Sequence, residues 1–195
     1  VEGIQLLLSE SEAINLVLKG EDEAFATIIE LHQKTIFNLA FRMLEEKEAA
    51  LDISQETFIQ VYSNLPSFDQ SRELGPWLCR IAHNKCLNFL KRRSHRSSPF
   101  TVSDAILSMN QSILSTAEST TDAIQRKYLI KEIRKEVSQL PQIEKSTFIM
   151  KYLNEMPLKE ISEALSIPVN TIKTHLYRAR NKLRKQLRWW FNEKK

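Results

Sequence analysis

Between Trp77 and Arg93 the chain reads Trp-Leu-Cys-Arg-Ile-Ala-His-Asn-Lys-Cys-Leu-Asn-Phe-Leu-Lys-Arg-Arg, with polar residues spaced for one helix face. Arg80, Asn84, Asn88 and Lys91 fall at i, i+4, i+8 and i+11, which a helix turns into a single stripe. Lys85, Arg92, Arg93 and Arg96 surround that stripe with positive charge, and no acid occurs between Glu73 and Asp104. A phosphate backbone would meet no opposing field along this stretch of sequence. An amide offers both a donor and an acceptor, so an Asn beside a basic groove suits the Watson–Crick edge of an unstacked base. The plainer alternative makes Asn84 and Asn88 solvated or capping side chains. Trp77 reads as domain core in preference to a stacking wedge.

A second basic constellation lies near the end. In Pro157-Leu-Lys-Glu-Ile-Ser-Glu-Ala-Leu165, Pro157 fits a first helical turn, where its missing N–H costs nothing. Leu158, Ile161 and Leu165 share one face, Ser166-Ile167-Pro168 makes a turn, and Pro168 begins the next helix. Val169, Ile172 and Leu176 face back, leaving Asn170, Thr171, Lys173, Thr174, Tyr177 and Arg178 outward, with Arg180, Lys182 and Arg184 beyond. An apolar-faced helix, a tight turn and a basic second helix form a helix-turn-helix, whose second helix enters a major groove. Lys and Arg suit guanine edges and phosphates, and Thr and Asn suit either. The alternative is a basic solvated helix on any helical protein.

The charge is polarised. Residues 21–64 carry nine acids against Lys34, Arg42 and Lys47, whereas residues 169–195 carry nine bases against Glu193 alone. The C-terminal end attracts a polyanion, and the acidic stretch seeks a basic protein surface. Within that stretch Asp52, Gln55 and Glu56 sit three to four residues apart, a compact patch for basic partners. On spacing alone, a solvated helix face or an acidic pair on a metal remains open.

Other chemistry finds no support. His32, His83, His95 and His175 are scattered without metal spacing or a nucleophile partner, so no metal, cofactor or catalytic residue is expected. Cys79 and Cys86 lie two helical turns apart, about 10 Å, beyond bridging range, and read as reduced packing thiols. Glycine occurs only at Gly3, Gly20 and Gly75, too few for phosphate-cradling loops or a turn-rich sheet protein.

The elements that must position these residues are helical. Phe25, Ile28, Ile29, Ile36, Leu39, Ala40 and Met43 mark a long amphipathic helix. Leu51, Phe58, Val61, Tyr62 and Leu65 mark a second, ending near Leu65-Pro66. A third spans about Glu73 to Arg93, and a short one leads over Ser11–Leu18. From Ser94 to Gln125 the stripe breaks, and twelve of 32 residues are Ser or Thr, the composition of a linker. After it Ile130, Ile133, Val137 and Leu140 form a stripe that stops at Pro141, and Ile143 to Leu153 forms another helix. The expectation is an all-α chain of two helical domains, over 8–93 and 126–191, joined by a long Ser/Thr-rich linker over 94–125. With 42% hydrophobic and 27% charged residues and no apolar run of membrane-span length, no membrane insertion is expected and the cytoplasm is the default. The chain opens at Val1, so a native start upstream stays open. Trp189-Trp190-Phe191 either packs on its own domain or anchors a partner.

Three segments carry a family resemblance. The run Leu140-Pro141 … Glu160-Ile161 … Leu165 … Pro168-Val-Asn-Thr-Ile-Lys-Thr-His-Leu-Tyr-Arg-Ala-Arg180 … Leu183-Arg184 resembles region four of bacterial sigma factors. Asp52-Ile-Ser-Gln-Glu-Thr-Phe-Ile59 resembles their region-two motif, and Trp77–Arg93 resembles the part that recognises and melts the −10 element. The resemblance covers about 22–93 and 126–188 and is to the small, two-domain, extracytoplasmic-function class. It implies that Asp52, Gln55, Glu56 and Phe58 grip the β′ clamp helices of core RNA polymerase, with the β flap as a further contact. It implies that Arg80, Asn84, Lys85, Asn88, Lys91 and Arg92 meet the −10 element, and Lys173, Thr174, His175, Tyr177, Arg178 and Arg180 the −35 element. It also implies a membrane-linked anti-sigma partner. Leu51 replaces a commonly acidic position, Asn88 a common Asp, and His175 a common Arg. Ser166 replaces a common Gly, cheaply if the turn geometry is kept.

Two other functions compete. A helix-turn-helix repressor would need a dimerisation surface and a palindromic site, and leaves Trp77–Arg93 unexplained. A small nuclease using Asp52 and Glu56 on a metal lacks further ligands. Metal-dependent turnover would favour the nuclease, and polymerase-dependent promoter binding would exclude it.

Overall fold

The computed structural model describes residues 8–95 and 120–188, with side chains over 8–94 and 128–188. Most of the expected linker, with Arg96 and Trp189-Trp190-Phe191, lies outside the described residues. The chain divides into two compact units between Ser98 and Pro99, and every regular element among the described residues is helical.

The first unit opens with α1 (Glu10–Leu18), whose start is fixed by a capping box between Ser9 and Glu12. A 3-10 turn (Asp22–Ala24) leads into α2 (Phe25–Leu44), then α3 (Lys47–Asn64), a 3-10 turn (Leu65–Ser67) and α4 (Leu74–His95). α2, α3 and α4 pack on one another around the fully buried Ile28, Ile36, Leu39, Met43, Val61, Leu65, Leu74 and Leu78. The expected inward face of α3 is rotated. Leu51 is 44% exposed, and the buried side is carried by Ala50, Ile53, Ser54, Thr57, Phe58 and Val61. Ser54 and Thr57 can be buried because their hydroxyls donate to the Ala50 and Ile53 carbonyls, at 2.7 and 2.6 Å. Tyr62 is half-exposed with its ring edge-on to Phe25 at 5.1 Å. Trp77 is half-buried against Phe68, with ring centroids 4.9 Å apart. Cys79 and Cys86 are buried and unbridged, and burial pushes the Cys86 thiol up to about 12, which leaves it inert.

The second unit contains α5 (Thr120–Ser138), α6 (Gln142–Phe148), a π-helical turn (Ile149–Leu153), α7 (Leu158–Leu165) and α8 (Val169–Gln186). Pro141, Pro157 and Pro168 each occupy the cap position just ahead of a helix, one residue before the first-turn site expected for Pro157. Val137, Leu140, Ala179 and Leu183 form a cluster flanked by Ile133 and Phe148, while Ile149, Met150, Ile161 and Ile172 are fully buried. Lys182 of α8 reaches the Glu144 carboxylate of α6 at 2.8 Å, and that carboxylate is only 7% exposed. Leaving so enclosed a carboxylate without its cation would be costly, so the pair fixes the register of α6 on α8.

The turn between α7 and α8 depends on Ser166, whose φ of 55° and ψ of 42° are left-handed. Ser162 Oγ donates to the Ile167 carbonyl at 2.6 Å and holds the turn closed. Serine here is therefore not the cheap replacement expected from sequence, because a side chain in this region costs roughly 1 kcal/mol. Ser166→Gly should stabilise the second unit by about 0.5–1 kcal/mol and Ser166→Val should destabilise it. Urea denaturation reads both, and an unchanged midpoint in the glycine variant would show that the turn carries no strain.

His83 of α4 is buried in the first unit, and burial pushes its imidazole down to about 4 against an opposing hydrogen bond with the Asn84 side chain. Between pH 6.5 and 4 the unfolded chain holds a proton that the folded chain lacks, so stability rises with pH across that window. The His83 contribution is complete above pH 6.5 and is lost as pH falls towards 4, about 3 kcal/mol in all. The Glu12 and Asp69 carboxylates, held low by hydrogen bonds from Ser9 and Ser71, act in the window below their ordinary values. Denaturation at stepped pH should show the first unit weakening below pH 6.5, and His83→Gln should flatten the curve from 6.5 to 4.

Candidate functional site

On α4 the stripe forms as its spacing requires, with Arg80, Asn84, Asn88 and Lys91 all exposed and Arg92 exposed beside them. The helix presents them because Leu78, Cys79, Ala82 and Cys86 occupy the opposite side, in the core. His83 was not singled out for a role in the sequence. It is buried beside Asn84, whose side chain supplies the hydrogen bond that opposes the downward shift of the imidazole.

Lys85 departs from the expected unopposed charge around the stripe. Its side chain is 21% exposed and its ammonium lies 3.0 Å from a Glu56 carboxylate oxygen on α3. Arg93 is paired similarly with Glu46, at 3.1 Å. The stretch free of acids in sequence is therefore not free of them in space. α3 and the residue just before it bring two carboxylates to the edge of the basic helix, while Arg80, Lys91 and Arg92 remain without ion pairs among the described residues.

On α3, Asp52, Gln55 and Glu56 are exposed together, as the spacing predicted. Phe58 is not with them. It is 8% exposed on the core side of the helix, so it supports the acidic face from behind and presents nothing to a partner. The apolar member of the outward face is Ile59, 67% exposed and seven residues after Asp52. Helical spacing from Asp52 marks this residue, whereas hydrophobic size alone points to the aromatic neighbour.

On α8, Ile172, Leu176, Ala179 and Leu183 are buried, which turns Lys173, Thr174, Tyr177, Arg178 and Arg180 outward. The Thr174 hydroxyl donates to the Asn170 carbonyl at 3.0 Å. His175 is partly enclosed and its Nδ1 is buried without a hydrogen-bond partner, so it does not stand on the open basic face with the others. A basic helix following a short helix and a left-handed turn has the geometry of a major-groove reader. No helix among the described residues is long and apolar enough to cross a membrane.

Residues 28–96 match the family model for Sigma-70 region 2, and residues 130–183 match Sigma-70, region 4. The chain is 36% identical over 177 residues to the ECF RNA polymerase sigma factor SigW of Bacillus subtilis, covering 90% of this chain and 95% of that one. It is 27% identical over 180 residues to the RNA polymerase sigma-H factor of Pseudomonas aeruginosa, covering 91% and 93%. The fold is similar to that of CnrH, solved in complex with the cytosolic domain of CnrY, at a TM-score of 0.64 and 19% identity, covering 90% and 94%. It is also similar to RpoE of Bartonella quintana, solved with the anti-sigma factor NepR, at a TM-score of 0.65 and 18% identity, covering 84% and 96%. With two separate helical units, one bearing a helix-turn-helix and the other an acidic face beside a basic stripe, and with this similarity along nearly its whole length, the chain belongs to the extracytoplasmic-function sigma factors of the sigma-70 family.

Proposed function

We propose that this chain confers promoter specificity on core RNA polymerase through three surfaces, divided between a region-two unit over about 8–93 and a region-four unit over about 126–191. Asp52, Gln55 and Glu56, with Ile59 added and Phe58 behind them, dock on the β′ clamp helices. Arg80, Asn84, Asn88, Lys91 and Arg92 hold the opened −10 strand. Lys173, Thr174, Tyr177, Arg178 and Arg180 read the −35 element, and the second unit also meets the β flap. The observation that carries this reading is the outward basic stripe of α4, unpaired among the described residues, in one unit and the basic outward face of α8 in the other. The chain itself performs no bond chemistry and uses no cofactor; phosphodiester formation belongs to the polymerase. It works beside the chromosome, in the cytoplasm. That RpoE of Bartonella quintana was solved with an anti-sigma factor supports an anti-sigma partner for this chain too, linked to the membrane. Reconstitution with core polymerase and sequencing of the transcripts tests the whole. Specific starts that depend on both components are expected, and specific duplex binding by the chain alone as a dimer would favour a repressor.

Arg178 is exposed on α8 and, if bidentate to a guanine, should discriminate by about 1–3 kcal/mol. Arg178→Ala should relax one −35 position in a competition assay across single-base promoter variants. An equal loss on every variant would make it a phosphate contact.

Asn84→Ala removes hydrogen bonds available only to an unstacked base. Closed-complex affinity should persist while open-complex formation falls, and a pre-melted −10 bubble should restore activity, since unstacking costs a few kcal/mol. Permanganate footprinting on duplex and bubble templates separates the two. A variant that opens duplex as well as wild type does would leave Asn84 a structural residue.

A further inference from the structure

Glu56 and Lys85 belong to different working surfaces and yet are bonded to each other. On the reading above, Glu56 faces the polymerase and Lys85 belongs to the helix that meets DNA. Their side chains meet at 3.0 Å across the packed α3–α4 pair, with Glu56 60% and Lys85 21% exposed. The asymmetry matters. The carboxylate is open to an approaching cation, whereas most of the lysine side chain is covered, so its stem has little freedom to swing the ammonium elsewhere. A second pair, Glu46 with Arg93 at 3.1 Å, neutralises another charge of α4 in the same manner. In the free chain a phosphate nearing Lys85 therefore meets a compensated cation with an exposed carboxylate beside it.

We propose that the Glu56–Lys85 pair is an electrostatic latch that makes polymerase docking and −10 strand capture favour each other. A basic polymerase group that takes the Glu56 carboxylate competes with Lys85 for the same oxygens. Released, the Lys85 ammonium has lost its counter-charge while its covered stem holds it in place, and the phosphate of the captured strand replaces that charge. The coupling is reciprocal: a strand that takes Lys85 frees Glu56 for the polymerase. This latch rests on the docking assignment of Glu56, so its test must separate the two.

The probe is a labelled single-stranded oligodeoxynucleotide covering the non-template −10 strand of a promoter found by transcript mapping. Its binding is measured by anisotropy to the free full chain and to holoenzyme at saturating polymerase. In the free chain Glu56→Gln should raise affinity about two- to fivefold at low salt, in keeping with an exposed ion pair. It should also steepen the slope of log affinity against log salt by about 0.7, one added phosphate contact on a single strand. In a Lys85→Met background, which keeps the enclosed stem, the Glu56→Gln gain should vanish. Lys85→Arg, which keeps the charge, should retain it and serves if the methionine variant fails to fold. Glu48→Gln removes the same charge from an unpaired position on α3 and should give no gain. In holoenzyme the gain from Glu56→Gln should disappear because docking has already opened the latch. A gain that persists without the Lys85 charge, that Glu48→Gln reproduces, or that survives in holoenzyme overturns the latch. Undiminished polymerase affinity of Glu56→Gln overturns the docking assignment instead, while weakened docking with no gain in the free chain overturns the latch alone.

Discussion

The distance between α3 and α4 governs most of what the first unit can do. Both helices bury small side chains, Ala49, Ala50, Ser54 and Thr57 on one and Cys79, Ala82 and Cys86 on the other, and they pack directly together. Small residues allow close approach, and the hydroxyls of Ser54 and Thr57 spend their donors on their own helix, so they add no unsatisfied group to the core. With the helices this near, rows that point outward from each lie side by side. Glu56 and Lys85 then come within ion-pair distance although 29 residues separate them in sequence.

The second unit solves a different problem, which is holding one helix rigid by its back. Ile172, Leu176, Ala179 and Leu183 anchor α8 along its whole apolar side, and the enclosed Glu144–Lys182 pair fixes how far it can slide on α6. Both α7 and α8 begin after a proline, and the chain between them turns through a single left-handed residue. A recognition helix needs this stiffness, because base edges are read by side chains whose positions must be set before contact.

Charge is divided unevenly along the chain. Residues 21–64 are acidic and residues 169–195 basic, while at short range the first unit uses acids to offset part of its own basic helix. Arg80, Lys91 and Arg92 stay unpaired among the described residues and so remain available to phosphate at once. Lys85 and Arg93 do not.

Much of this was legible in the sequence. Helical periodicity, scarce glycine and the prolines ahead of α6, α7 and α8 determined an all-α chain with a helix-turn-helix, and spacing alone determined that Asp52, Gln55 and Glu56 share a face, as do Arg80, Asn84 and Asn88. These follow from 3.6 residues per turn, a property of the isolated helix. Only the tertiary structure decided which way each face turned and what lay across from it. Hydropathy placed Leu51 inside and left Ser54 and Thr57 unnoticed, because it cannot see a hydroxyl satisfied by its own backbone. It left Phe58 on the partner side, though packing against the other helices draws that ring inward and leaves Ile59 out. Packing within the second unit encloses one edge of His175, and packing within the first brings Glu56 onto Lys85. A helix fixes the relative angles of its side chains, but its rotation about its own axis is set by its neighbours, and no spacing within one helix records a charge that arrives from another.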